Sequence, residues 1–367
     1  MLPRLTSSRR KSVSTGQVET LSVMKKLILI DGNAILHRAY HALPPLTNKE
    51  GVIVNAVYGF FSMLLKIIQD LKPEYLAVCF DKEAPTFRKQ LYVGYQAQRP
   101  KTADDLVPQI GIVHDVLQKA KVAIFEIDGY EADDLIGTLA RQAVELDGRR
   151  WKIEDGNLKM EDRRSINPQS STLKNPPSVF YHPSSNIEVI IVSGDRDMLQ
   201  LVNSHVKVLA PIKGITEMIL FDSKKVEEKY GIEPSQFIDY KSLVGDSSDN
   251  YPGVTGIGPK TASSLLNEYG SFDEMYKKIN SLPPKTAEKL ATDAEQAALA
   301  KKLATIVTDA PIKLDFNDCA MAKFSMEGAR SAFEGLGFKS LVKRLQAKVE
   351  DKPEKKEKNN NQQLGLL

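Results

Sequence analysis

Cysteine is scarce in this sequence: Cys79 and Cys319 are the only two in 367 residues. They share no CxxC spacing, so neither a disulfide framework nor a thiolate zinc site can be built from them. Cys79 stands in an apolar run, where a buried free thiol is the ordinary reading, and the pair fits a reducing compartment. Histidine is sparse too. The five present are scattered, with no spacing for a histidine-rich metal site or a Ser-His-Asp arrangement. His37 and His41 can share a helix face and read as structural or substrate-facing. No apolar stretch reaches the roughly 18 residues of a membrane span, so no membrane is expected among the partners. Charge of one sign is also lacking. The 50 Lys and Arg against 47 Asp and Glu leave a net charge of only +3, which by itself points to no partner. What remains is two opposing pools, carboxylates able to hold metal and cations able to hold phosphate.

Residues 1–23 are rich in Ser and Arg and read as a disordered extension ahead of a start at Met24; an organellar transit sequence is the other reading. From Met24, short apolar runs alternate with amphipathic helical patterns. Lys26–Ile30, Tyr75–Phe80, Val122–Ile127 and Ile187–Val192 read as buried strands. Helices are expected over 52–71, 102–119 and 131–145. This alternation predicts an α/β fold with a mainly parallel central sheet covered by helices. Residues 147–186 interrupt it with Pro, Ser and Asn clusters, giving a surface insertion or, alternatively, an extra substrate-binding loop. The pattern turns all-helical near Lys224. The expected organisation is an α/β domain over 24–223, a smaller helical lobe over 224–349, and a solvated tail over 350–367.

In parallel sheets, sites form beyond the carboxyl ends of the strands. Asp31, Asp81 and the pair Asp195 and Asp197 occupy such ends. One aspartate there commonly caps the next turn. Recurrence at three strands, joined by Glu131, Asp133 and Asp134 in the first turn of a helix, exceeds what capping and the helix dipole require. So many like charges repel unless cations neutralise them. All-oxygen donors select hard cations such as Mg²⁺ or Mn²⁺. Two such ions about 4 Å apart can drive phosphodiester hydrolysis. Asp246 and Asp249 add a third acidic group, expected to face one way on a helical turn.

Gly253, Gly256 and Gly258 precede Pro259, Lys260 and Thr261 at a predicted helix start. Bare glycine backbone, free N–H groups and a lysine together suit a phosphate. No strand precedes the segment, so a dinucleotide or P-loop site is disfavoured; a helix, glycine hairpin, helix grip on a DNA backbone fits. Residues 87–101 interleave Arg88, Lys89, Arg99 and Lys101 with Phe87, Tyr92 and Tyr95, a mixture able to neutralise a single strand and stack its bases. The plainer reading is a solvated helix with aromatics on the core.

Taken in order, LILIDGNAILHRAYHAL, FDKEAPTFR, GYEADDLIGTLA, SGDRDMLQL and GDSSDNYPGVTGIGPKTA resemble the 5′-nuclease family, which includes flap endonucleases, phage 5′-exonucleases and the amino-terminal domain of bacterial DNA polymerase I. The match is to that last group, as a stand-alone protein, over Met24 to about Val349 outside the insertion. It implies a PIN-like or resolvase-like nuclease fold whose helical lobe carries a helix–two-turn–helix. It implies one metal site of Asp31, Asp81, Glu131 and Asp133 supported by Asp134, and another of Asp195, Asp197, Asp246 and Asp249. Both would hold Mg²⁺ or Mn²⁺, with K⁺ on backbone carbonyls of the glycine segment. Residues 82–101 match the arch that passes a 5′ single strand. Arg38 and Arg99 match cations facing substrate phosphates. Arg88, Lys89, Tyr95, Gln96, Gly253, Gly256, Gly258, Lys260 and Thr261 are the expected DNA contacts.

One departure stands out. The family carries lysine after the arch tyrosine, where it is expected to meet the scissile phosphate. This chain has Gln96, with Lys89 and Lys101 as candidate replacements. The expected function is removal of 5′ flaps or primers from branched or nicked DNA in replication and repair, by a cytoplasmic monomer. The alternatives are a weak or inactive binder of branched DNA, and an RNA-cleaving relative. Gln363, Leu364, Leu366 and Leu367 resemble the short peptide that binds bacterial sliding clamps; a frayed tail is the other reading.

Overall fold

The computed structural model describes residues 24–147, 151–154, 157–160 and 186–346. The expected extension, the tail with Gln363, Leu364, Leu366 and Leu367, and most of the 147–186 insertion lie outside them. Within that insertion, Trp151–Glu154 (β4) and Asn157–Met160 (β5) pair as an antiparallel hairpin.

The sheet begins with β1 (Lys25–Asp31), whose last five residues are buried. Successive side chains of a strand point to opposite faces. Leu27 and Leu29 enter one core, and Ile28 and Ile30 the other. Both faces are therefore covered, and the strand reads as unbroken apolar sequence rather than alternation. β2 (Tyr75–Cys79) and β3 (Ala123–Phe125) extend the sheet on one side of β1. On the other side lie β6 (Ile187–Val192), β7 (Val206–Lys213) and β8 (Glu217–Phe221), giving the order β3-β2-β1-β6-β7-β8. Every pairing is parallel except β7 with β8. That edge hairpin is a departure from simple strand–helix alternation. The strand order reverses between β1 and β6, which opens a crevice at their carboxyl ends.

Helices cover both faces. α1 (Gly32–Ala42), α2 (Asn55–Leu71) and α4 (Val107–Lys119) lie on one face, and α5 (Ala132–Asp147) on the other. α2 starts three residues later than its apolar pattern predicts. The reason is local: the buried Gln109 amide oxygen accepts the Ala56 and Val57 N–H groups at 2.8 and 3.3 Å, satisfying two free donors of a first turn. α4 likewise starts at Val107, with Pro108 in its first turn. The short α3 (Phe87–Leu91) stands between β2 and α4.

The helices after Phe221 complete both faces. α6 (Ser223–Tyr230), α7 (Phe237–Val244), α8 (Pro259–Tyr269), α9 (Phe272–Lys277), α10 (Pro284–Thr292) and α11 (Ala294–Ala304) join the α5 side. The short α12 (Phe316–Cys319) also packs there. α13 (Met326–Gly335) and α14 (Lys339–Gln346) return to the other face, where Phe333 meets Phe61 edge-on at 5.3 Å. The segment from 224 is not entirely helical. β9 (Gly245–Asp246) and β10 (Tyr251–Pro252) form a small hairpin between α7 and α8.

Candidate functional site

Asp31 ends β1 at the crevice. One carboxylate oxygen accepts the Ala34 N–H at 2.9 Å as the N-cap of α1, and the other accepts the buried Ser193 hydroxyl at 2.7 Å. Capping therefore accounts for one lone-pair direction and leaves the rest. Ser193, directly after β6, was not foreseen from the sequence; its place between an apolar strand and Gly194-Asp195 was the available signal. Asp81 follows β2, and its Oδ1 accepts the Ala132 N–H at 2.7 Å, which fixes the start of α5. Glu131, one residue before α5, accepts from Thr86 Oγ1 at 2.7 Å and from the Tyr95 hydroxyl at 3.1 Å. Burial, reinforced by the Asp81 charge, pushes the Asp31 carboxyl up to about 7. Burial is also the leading cause that raises Glu131 and Asp133, whereas Asp81 keeps an exposed surface. Crowded carboxylates of this kind favour a cation among them.

Arg88 lies behind them. It is 1% exposed, and its guanidinium forks onto Asp134 at 2.8 and 2.9 Å. It also donates to the Leu303 and Thr305 carbonyls at 3.0 and 2.9 Å, and stands 3.5 Å from Glu131 and 3.7 Å from Asp133. Burial opposes its charge, but Asp133, Asp134 and Glu131 more than offset this and raise its pKa. Two expectations are corrected here. Arg88 is not a DNA contact, because it has no open surface. Asp134 is not placed to hold a metal, because it is fully buried and engaged by Arg88 and by the Val307 N–H at 2.8 Å. Tyr95 is corrected too: it is 5% exposed and packs with Tyr251, Ala300, Leu303 and Ala304 rather than offering its ring to a base.

The second acidic group forms across the crevice. Asp197 opens a short 3-10 turn after β6, Asp246 ends β9, and Asp249 lies in the β9–β10 turn. One oxygen from each comes within 4.8 Å of the others. Asp246 and Asp249 converge through a hairpin turn, not through the helical turn expected from their spacing. The fourth expected member, Asp195, accepts the Asp197 N–H at 2.9 Å and lies outside that convergence. Among the described residues, no three of Asp31, Asp81, Glu131 and Asp133 come as close together. An all-carboxylate donor set of this kind fits a hard divalent cation.

Lys241 on α7, also not foreseen, places its ammonium 2.6 Å from Asp197 and against Asp246. Asp197 is pushed up to about 8, by burial first and the Asp195 charge next. Burial tends to raise Asp246 as well, but the Lys241 ammonium outweighs it and lowers that group. Arg99, half exposed, reaches Asp249 at 2.5 Å. Arg38 on α1 donates to the Gly214 carbonyl at 3.0 Å, at the tip of the β7–β8 hairpin. Lys89 is exposed on α3. Lys101 is 90% exposed and pairs with Asp104 at 3.5 Å. Besides the buried Arg88, the cation of this segment that meets an acidic site residue is Arg99.

In the glycine segment, Gly256, Gly258, Lys260 and Thr261 are exposed around the start of α8, and Gly258 is its N-cap. Gly253 is different and corrects the expectation of a DNA contact. It is buried, its carbonyl accepts from Gln296, and an added Cβ would lie 2.4 Å from the Gly245 nitrogen and the Leu243 oxygen. Glycine is required there by the crossing of two backbones. The Gly256 carbonyl accepts from Lys289 Nζ at 2.9 Å.

Known proteins resemble this arrangement. Residues 26–154 match the family described as 5′-3′ exonuclease, N-terminal resolvase-like domain, and residues 232–327 match 5′-3′ exonuclease, C-terminal SAM fold. DNA polymerase I of Bacillus subtilis is 38% identical over 322 residues, which span 88% of this chain and 32% of that protein. DNA polymerase I of Streptococcus pneumoniae is 35% identical over 326 residues, spanning 88% and 33%. The chain thus spans about a third of the length of the curated relatives it matches. Among solved structures, a bacteriophage T5 flap endonuclease in a pseudo-enzyme–product complex with DNA and metal ions aligns with TM-score 0.55 at 18% identity, covering 89% of this chain and 98% of that one. The catalytic core of Rad2 with DNA substrate aligns with TM-score 0.50 at 14% identity, covering 89% and 92%. At those identities the likeness is one of fold.

Proposed function

Because the chain belongs to the 5′-3′ exonuclease family, we infer that it is a divalent-metal-dependent nuclease that hydrolyses DNA at 5′ ends and 5′ flaps. The observation that carries this reading is the convergence of Asp197, Asp246 and Asp249 to within 4.8 Å of one another, with Asp31 at the end of β1 and Asp81 just beyond β2. Asp31, Asp81, Glu131 and Asp133 would hold one ion, and Asp197, Asp246 and Asp249, with Asp195 beside them, another. Mg²⁺ and Mn²⁺ suit these oxygen donors. Two such ions, when bound, supply the Lewis acidity that activates water and stabilises the leaving oxygen.

The chain's own side chains do the rest. Arg99, half exposed over Asp249, and Arg38 offer donors to phosphate oxygens at the crevice. The exposed start of α8, with Lys260 and Thr261, grips the duplex backbone away from the cut. Ser193 and Arg88 hold carboxylates in place, which keeps their oxygens aimed without contact with substrate. Lys241 neutralises the second cluster from the α7 side. A K⁺ at the glycine segment is a finer proposal, and Lys289 on the Gly256 carbonyl is the group it would have to accommodate.

The substrate proposed is branched or nicked DNA with a 5′ single strand, met in replication and repair by a cytoplasmic monomer. Attachment to a sliding clamp through Gln363–Leu367 belongs to the same proposal. Among the described residues no helix is long and apolar enough to cross a membrane. The second reading, a weak or inactive binder of branched DNA, is favoured by Gln96 alone.

The test is cleavage of a 5′-labelled flap duplex in Mg²⁺ or chelator by native protein and Asp195→Ala. Native protein should cut near the junction only with metal, and the variant should be slower by about 10²-fold or more. An uncut flap with native protein in Mg²⁺ would leave the binder reading standing.

A further inference from the structure

We propose that Tyr251 is a positioning residue of the second acidic cluster, its hydroxyl serving in the ion-loaded protein as a hydrogen-bond donor to a carboxylate of that cluster, Asp197 foremost. The inference rests on the reading of Asp197, Asp246 and Asp249 as an ion site.

Tyr251 is 3% exposed, and among the described residues no group hydrogen-bonds its buried hydroxyl. A buried donor without an acceptor costs folding free energy that phenylalanine, nearly equal in shape, would not. The core does not ask for that oxygen. The ring packs with Tyr95, Ala300, Leu303 and Ala304, contacts that a phenyl ring would make as well.

The hairpin brings the ring to the cluster. Tyr251 stands directly opposite Asp246 in the β9–β10 ladder, and residues facing each other across an antiparallel pair project on the same side. The ring therefore leaves the hairpin beside the Asp246 carboxylate. A phenol keeps its proton at neutral pH in any case. Burial, and then the charges of Asp197, Asp246, Asp249 and Asp195 in that order, hold it more firmly.

Tyr95 shows what such a hydroxyl can do. It shares the small core with Tyr251, and its own hydroxyl donates to Glu131 at 3.1 Å. One core thus carries two phenols, one bonded to the first acidic group and one unbonded at the second. The second has a competitor. The Lys241 ammonium stands 2.6 Å from Asp197 and lies against Asp246. A lysine is a cation and opposes a divalent ion among the same carboxylates. A neutral phenol orients a carboxylate without that opposition.

The experiment compares Tyr251→Phe with Tyr95→Phe in the full chain, without DNA. Mn²⁺ binding is read by calorimetric titration in an Asp31→Asn background, which disables the first site and leaves the second to fill. Tm is read by thermal unfolding in EDTA. Tyr251→Phe should weaken Mn²⁺ binding about tenfold, the effect of one hydrogen bond to a charged group. Its Tm in EDTA should be no lower than that of the background protein. Tyr95→Phe should keep this Mn²⁺ affinity within about twofold and lower the Tm, because its hydroxyl already has a partner. On a 5′-labelled flap, Tyr251→Phe should raise the Mg²⁺ concentration for half-maximal cleavage, with the native rate regained in excess Mg²⁺. Unchanged Mn²⁺ affinity in Tyr251→Phe, equal weakening by both variants, or a Tm in EDTA that falls with the affinity overturns the proposal. If native protein binds Mn²⁺ at the second cluster but cuts no flap, the nuclease reading fails, and the titration still decides the inference.

Discussion

The two acidic clusters are neutralised from opposite sides. Asp31, Asp81, Glu131 and Asp133 sit on strand ends and a helix start, and their counter-charge, Arg88, is sealed behind them in the core. Asp197, Asp246 and Asp249 come from a loop and a short hairpin, and their counter-charges are the largely buried Lys241 and the half-exposed Arg99, the one that opens to solvent. A sealed cation acts on stability, because removing it strands buried anions. An exposed one acts on what enters the site, because water replaces it cheaply.

The sharpest way to break this contrast is to remove each arginine. Arg88→Met should cost about 3–5 kcal/mol of folding stability, with part recovered when Asp134→Asn is added, as read by urea unfolding. Arg99→Met should cost less than Arg88→Met in the same measurement, because half of the Arg99 side chain is already in water although its partner Asp249 is buried. Equal losses would show that the two clusters are held alike. Gly253→Ala comes next. Its methyl group collides with the Gly245 and Leu243 backbone, so it should cost about 1–3 kcal/mol and weaken divalent-ion binding at the second cluster while sparing the first. Calorimetric titration of the native and variant proteins would read one weakened ion of two; two ions weakened equally would merge the clusters into one unit.

The smallest effect expected is on pH. Burial raises Asp31 from 3.8 to about 7 and Asp197 from 3.8 to about 8. Between the unfolded and folded values the native state binds more protons than the unfolded chain, so without metal, stability falls as pH rises across that window. A divalent ion relieves the repulsion and competes with those protons. The rise in Tm on adding Mg²⁺ should therefore be larger at pH 8 than at pH 6, by roughly 2–4 °C for each kcal/mol regained. A rise independent of pH would mean that the ion does not bind these carboxylates.

The same contrast explains what could be read from sequence. Asp31, Asp81, Glu131 and Asp133 were legible because strand ends and helix starts are local features with a local pattern. Asp246 and Asp249 were recognisable as residues, but the geometry inferred for them was wrong: Gly245 and Gly253 cross where helical spacing implied a turn of helix. Lys241 was missed because a lysine on an amphipathic helix is usually solvated, and only tertiary packing brings α7 over Asp197. Arg88 and Tyr95 were misassigned for the converse reason. Basic and aromatic residues interleaved in one segment look alike whether they face a ligand or a core, and burial separates the two. The β7–β8 hairpin carried a weak signal, Gly214 between two short apolar runs.

The return of α13 and α14 to the layer of α2 and α4 has a consequence for how the chain is made. Phe333, Phe338 and Leu341 close over Phe61 and Tyr58, and Arg344 donates to the Ser62 carbonyl at 3.1 Å. The outer sides of α2 and α4 thus wait for partners encoded near residue 340. At roughly 5–20 residues per second of synthesis, α2 emerges tens of seconds before the helices that cover it. For that interval the nascent chain carries an apolar helix face with no lid, and a ribosome stalled before the last helices would hold α2 and α4 with that face exposed to chaperones and proteases.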